Sequence, residues 1–207
     1  MNAKVNLHIG VKAGMIVAGV IHLLLELTCV IQAIREYLAF QELLDRFGNV
    51  IKVKFGFHDS EATIAPAVFM PFITAVVCLI FAFNKSYFLI FVAIGSTIFE
   101  LILFIVATVR GHNVLDECNP AYEATKKDSV RSDVRTLLGN DFGRFVEYIE
   151  TLVSVLKGNL GVSYFGIAVS LVTIMLCIFV AVMYFSKRGA GGNEENIEKS
   201  TSDEQDV

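Results

Sequence analysis

Four stretches of the chain are apolar almost without interruption: roughly Val11 to Ala33, Ile64 to Phe83, Tyr87 to Val109 and Val162 to Phe185. At about 1.5 Å of rise per residue, each reaches roughly 30 Å as a helix, the hydrocarbon thickness of a bilayer. Backbone N–H and C=O groups find no water there, so each stretch is predicted to be helical despite its Val and Ile content. Only Asn84-Lys85-Ser86 separates the second stretch from the third, which makes those two helices antiparallel neighbours. The expectation is an all-α membrane protein: a four-transmembrane-helix bundle over residues 1–185, followed by a tail over residues 186–207.

Between the spans the pattern changes. In "REYLAFQELLDRF", Leu43, Leu44 and Phe47 lie near one helical face. In "VIKVKFGFH", Ile51, Val53, Phe55 and Phe57 alternate with Lys52, Lys54, Gly56 and His58, which predicts a short strand in the first loop. Such a strand needs a partner in the second loop or in another copy. The second loop starts polar and then places Phe142, Phe145, Ile149, Leu152 and Leu156 three and four residues apart. That spacing predicts an amphipathic helix on the membrane surface or over the bundle mouth, separated from the fourth span by Gly158 and Gly161. The tail "SKRGAGGNEENIEKSTSDEQDV" is glycine-rich, then acidic, and is predicted to be disordered. Ser200 and Thr201 each have an acidic residue three places on and are candidate phosphorylation sites.

Composition agrees with a membrane protein: 55% hydrophobic, 18% charged and a mean hydropathy of +0.62. An ordinary soluble domain carries more charge. The net charge of −4, with no basic stripe, predicts no nucleic-acid partner. Cys29, Cys78 and Cys177 fall inside spans and read as small packing residues. Cys118 falls in the second loop, where it is either a free thiol or a link to a second chain. No zinc spacing occurs, and neither a metal nor a cofactor is predicted. The first apolar run is too long for a cleaved signal and reads as a retained span. Lys4, Lys12, Lys85, Lys187 and Arg188 favour both termini in the cytosol and both loops outside it.

Polar residues inside the spans carry the candidate chemistry. Gly10, Gly14, Ala18, His22 and Glu26 recur every four residues on the first helix. Ser96 and Glu100 do so on the third, and Gly166, Ser170 and Thr173 share a stripe of the fourth. Small residues let helices approach closely, so Gly10, Gly14, Ala18 and Gly166 are predicted packing positions. Glu26 lies about 6 Å past the middle of its helix and Glu100 about 3 Å past the middle of its own. Both carboxylates are therefore expected in one layer, with His22 donating to Glu26 or balancing its charge. A carboxylate at mid-bilayer costs about 2.5–3.5 kcal/mol, so these groups should face inward. The cluster reads either as an interhelical polar clamp or as a proton- or cation-coupled site. No nucleophile–base constellation or phosphate loop points to an enzyme.

The opening "LHIGVKAGMIVAGVIHLLLEL", through His8, Lys12, Ala13, Gly14, Ile16 and Gly19, resembles the first helix of lysosome-associated four-helix membrane proteins of the LAPTM type. The resemblance implies an endolysosomal protein that regulates the trafficking or transport of other membrane proteins. The expected function is thus a non-enzymatic tetraspan that binds, organises or traffics membrane proteins or self-associates, in the endolysosomal or plasma membrane. One alternative is a subunit of a proton- or cation-coupled transporter using Glu26 and Glu100. Another is a cell-surface contact or fusion protein presenting the strand.

Overall fold

A computed structural model describes the backbone of residues 2–55, 63–84, 86–126 and 134–202, and the side chains of these except 2–8, 49–55, 87, 124 and 187–202. Helix α1 runs over Asn2–Phe55, α2 over Met70–Asn84, α3 over Tyr87–Lys126 and α4 over Phe142–Ser202. A short 3-10 turn, Ala65–Ala67, precedes α2. Another, Gly139–Asp141, leads into α4. Gly139 has φ 53, a conformation that a residue without Cβ adopts at little cost. Within the described residues, four helices are long and apolar enough to cross a membrane, so the chain is a multi-pass membrane protein.

The helices form a square. α1 packs on α2 and α4, and α3 packs on the same two, which leaves α1 and α3 on a diagonal. Large apolar side chains line the outside, among them Leu24, Phe99, Val172, Met175 and Phe179. That arrangement suits lipid, where exposing a leucine costs nothing. Inside, an apolar cluster around Met15, Cys78, Phe81 and Cys177 sits towards one end. A second, around Leu25, Cys29, Ile64 and Phe104, sits beyond it. His22, Thr74, Glu100, Ser170 and Thr173 are all buried, and register places them between the two clusters.

The segments predicted as loops prove to be mainly helix. α1, α3 and α4 continue past their apolar runs and pack into a three-helix head. Its core includes Phe40, Leu43, Phe47, Cys118, Phe145, Ile149, Leu152 and Leu156. The rings of Phe47 and Phe145 meet edge to face, with centroids 5.3 Å apart. Several expectations change here. The strand is not formed: residues 49–55 continue α1, and residues 56–58 lie outside the described residues. A strand without a partner leaves all its ladder N–H and C=O groups unpaired, whereas an extended helix bonds its own. The stripe Phe142 to Leu156 is buried, but within the head and in one helix with the fourth span, not as a separate helix on the membrane. Gly158 and Gly161 do not break α4, because an interior glycine costs only about 1 kcal/mol, which packing over a long helix exceeds. Cys118 is 0% exposed in the head core, so it is not a surface thiol within reach of a second chain. Of the tail predicted as disordered, the backbone of residues 186–202 continues α4, while the side chains of 187–202, Ser200 and Thr201 among them, and residues 203–207 lie outside the described part of the chain.

Candidate functional site

His22 is the centre of the polar layer. It is 0% exposed, and its Nδ1 lies 3.0 Å from Glu100 Oε1, itself on a 0% exposed side chain. Its Nε2 lies 3.0 Å from Thr173 Oγ1. One ring thus ties α1 to α3 across the diagonal and to α4 beside it. A carboxylate alone at this depth would be expensive; paired with imidazole it leaves no net charge when the pair holds one proton between them. Two neutral arrangements fit the distances. An imidazolium can donate from both nitrogens, to the carboxylate and to the threonine hydroxyl. Alternatively the carboxylic acid donates to Nδ1, and Nε2–H donates to Thr173.

Other hydroxyls of the layer differ in their partners. Thr97 and Ser96 donate to Ala93 O at 2.6 and 3.1 Å, within their own helix, so Ser96 does not join the cluster. Glu100 Oε2, Ser170 Oγ and Thr74 Oγ1 are buried without a hydrogen-bond partner.

Glu26 has a different partner from the one its spacing suggests. It does not bond His22. Both of its oxygens accept from the Phe69 backbone N–H, at 3.2 and 3.1 Å. Phe69 has φ 76 and directly precedes α2. The first N–H groups of a helix lack internal partners and attract negative charge. A carboxylate lent by α1 therefore caps α2 inside the membrane.

Glu36 makes the densest set of bonds, and the sequence pattern did not single it out. It is 0% exposed. Thr63 N–H donates to its two oxygens at 2.8 and 2.9 Å, and Thr63 Oγ1 donates at 3.0 Å. Asn159 Nδ2, on α4, donates at 2.6 Å. Glu26 and Glu36 thus hold the two ends of the irregular segment from Thr63 to Phe69. Between them, Ala67 N–H reaches Ile64 O at 2.9 Å, Val68 N–H reaches Ala65 O at 3.2 Å, and Pro66 has no N–H. Non-helical backbone at this depth stands only where its polar groups are satisfied.

The small residues sort by contact. A Cβ added to Gly166 would lie 2.5–2.6 Å from three atoms of the Phe104 ring, so α3 and α4 approach where only glycine fits. Ala18 is buried. Gly14 faces Leu176 at 3.5 Å, and Gly10 meets nothing within 4 Å. Gly19 sits where α1 comes close to α2: a Cβ there would lie 2.8 Å from Leu79 and 3.2 Å from Ala75 O. Comparison with protein-family models, with curated proteins and with solved structures finds no match, so the arrangement of these side chains carries the functional reading.

Proposed function

We propose that the chain is a non-enzymatic four-span protein that binds, organises or traffics other membrane proteins. What supports this most is the engagement of three carboxylates on its helices, two of them, Glu36 and Glu100, fully buried. Glu26 accepts from Phe69, Glu36 from Thr63 and Asn159, and Glu100 pairs with His22. A carrier keeps such groups available to cargo; here they hold the helices together. What the molecule presents is surface. The head exposes charges of both signs, including Glu42, Asp45, Arg135, Arg144 and Glu147, together with Tyr37 and Leu137. Partners are other membrane proteins or a second copy, met beside the bilayer. The resemblance of its opening segment favours the endolysosomal membrane, with the plasma membrane as the alternative, and Lys4, Lys12, Lys85, Lys187 and Arg188 favour cytosolic termini.

The test is photo-crosslinking in cells from positions 37, 137 and 144 of the full chain. The reading expects the same integral membrane partner from all three positions, and loss of that partner on reversing the charges of Arg144 and Glu147. Capture of bulk lipid alone from every position would sink it. A second reading, a proton-coupled transporter subunit, draws on the unpartnered Glu100 Oε2. It requires a proton flux in vesicles that Glu100→Gln abolishes. The contact or fusion alternative loses its basis, since residues 49–55 are helical.

A further inference from the structure

Two adjoining hollows run along the seam of α1 and α4 on the lipid-facing side, sharing Ile21 and Phe165. The one nearer the head has a volume of about 400 Å³ and is lined by Leu24, Leu25, Thr28, Gly158, Gly161 and Val162 besides those two. Its walls are apolar. The one hydroxyl among them, Thr28 Oγ1, donates back to Leu24 O at 2.8 Å. Gly161 opens into free space, with nothing within 4 Å of where a Cβ would stand.

The α1 stripe that lines this hollow continues upward at helical spacing. Leu24, Leu25 and Thr28 lead to Gln32 and then to Arg35. Gln32 lies against Gly158, its Nε2 3.3 Å from the Cβ position there. Its Oε1 is enclosed and makes no hydrogen bond. Arg35 is exposed and has no ion-pair partner among the described residues. From head to mid-membrane the seam therefore presents a cation, an unpartnered amide and an apolar trough. From Gln32 to Ile21 the trough is about 16 Å long, close to the roughly 15 Å depth of one leaflet.

We propose that this seam binds one phospholipid with a net negative head group, its phosphate on Arg35, an ester carbonyl accepting from Gln32 Nε2–H and one acyl chain in the hollow. The order of polarity along α1 is the order of polarity along such a lipid. A transmembrane helix of a partner would bring no anion to Arg35. This site is independent of the protein-binding role and stands if that role fails.

Native mass spectrometry of the full chain, released from micelles doped with equal phosphatidylglycerol and phosphatidylcholine, tests it. The wild type should retain one phosphatidylglycerol about fivefold over phosphatidylcholine, the effect of a single arginine near an anionic head group. Arg35→Gln, at an exposed position, should equalise the two lipids. Gly161→Leu should fill the trough and lose both, with circular dichroism unchanged. Equal retention of the two lipids by the wild type overturns the proposal. So does a preference that survives Arg35→Gln, or full retention of phosphatidylglycerol by Gly161→Leu.

Discussion

Replacing His22 by alanine tests whether the buried pair is a clamp. The imidazole supplies the hydrogen bonds of both Glu100 and Thr173, each at 3.0 Å, on side chains that are 0% and 3% exposed. Its loss leaves Glu100 with no partner on either oxygen. Stranding a buried charge costs about 3–5 kcal/mol, and the carboxylate can lower that only by taking up a proton. Thr173 loses an interhelical bond as well, worth about 0.6 kcal/mol on the membrane-protein average. We therefore expect His22→Ala to destabilise the bundle by about 3 kcal/mol. Glu100→Gln should cost less than about 1 kcal/mol, since an amide oxygen still accepts from Nδ1–H and no charge is stranded. The double variant should be more stable than His22→Ala alone, because it contains no orphaned carboxylate. Reversible unfolding in mixed micelles, run as a double-mutant cycle, measures all three. A Glu100→Gln loss equal to that of His22→Ala, or a double variant weaker than both, refutes the clamp.

Three further outcomes follow from the packing. Gly166→Ala drives a Cβ against the Phe104 ring and should cost about 1–3 kcal/mol by thermal unfolding, part of it recovered by Phe104→Leu in the same chain. Glu36→Ala strands donors on Thr63 and Asn159, at about 1–3 kcal/mol for each that stays buried. Glu36→Gln should be milder, because a turned Asn159 amide offers its oxygen; equal losses would count against these bonds. Glu26→Ala removes the cap of α2 and should cost about 0.5–2 kcal/mol, with hydrogen exchange rising first at Phe69.

The four spans were legible because lipid allows few solutions: a long apolar run must be a helix. The polar stripe was legible in its members but not in its pairings. Four-residue spacing places His22 and Glu26 on one side of α1, yet they turn to different neighbours, α3 and α2, which spacing on one helix cannot distinguish. Glu36 was missed for a related reason. Carried past the apolar run, the buried row of α1 reads His22, Leu25, Cys29, Glu36, Phe40, Leu43, Phe47. Ending the helix at Ala33 cut that row and left Glu36 in a supposed loop. The false strand came from reading "VIKVKFGFH" by local alternation, which says nothing about whether a partner strand exists.

That row also explains why the packing residues differ along one helix. In lipid, burying an apolar side chain against another helix gains little over burying it in acyl chains, so association rests on close contact and on interhelical hydrogen bonds. The spans accordingly hold Gly19 against Leu79, Gly166 against Phe104 and His22 between two helices. Beyond the apolar runs water returns, burial becomes the driving force, and the same face of α1 turns to Phe40, Leu43 and Phe47. The register stays constant while the chemistry changes. Of the four helices, α2 alone does not extend into the head. Its approach from Thr63 must be fixed where the two regimes meet, and Glu36 does this by bonding Thr63 on one side and Asn159 of α4 on the other. A carboxylate suits that junction because its two oxygens can accept from several donors at once, which no apolar contact and no single hydroxyl can do.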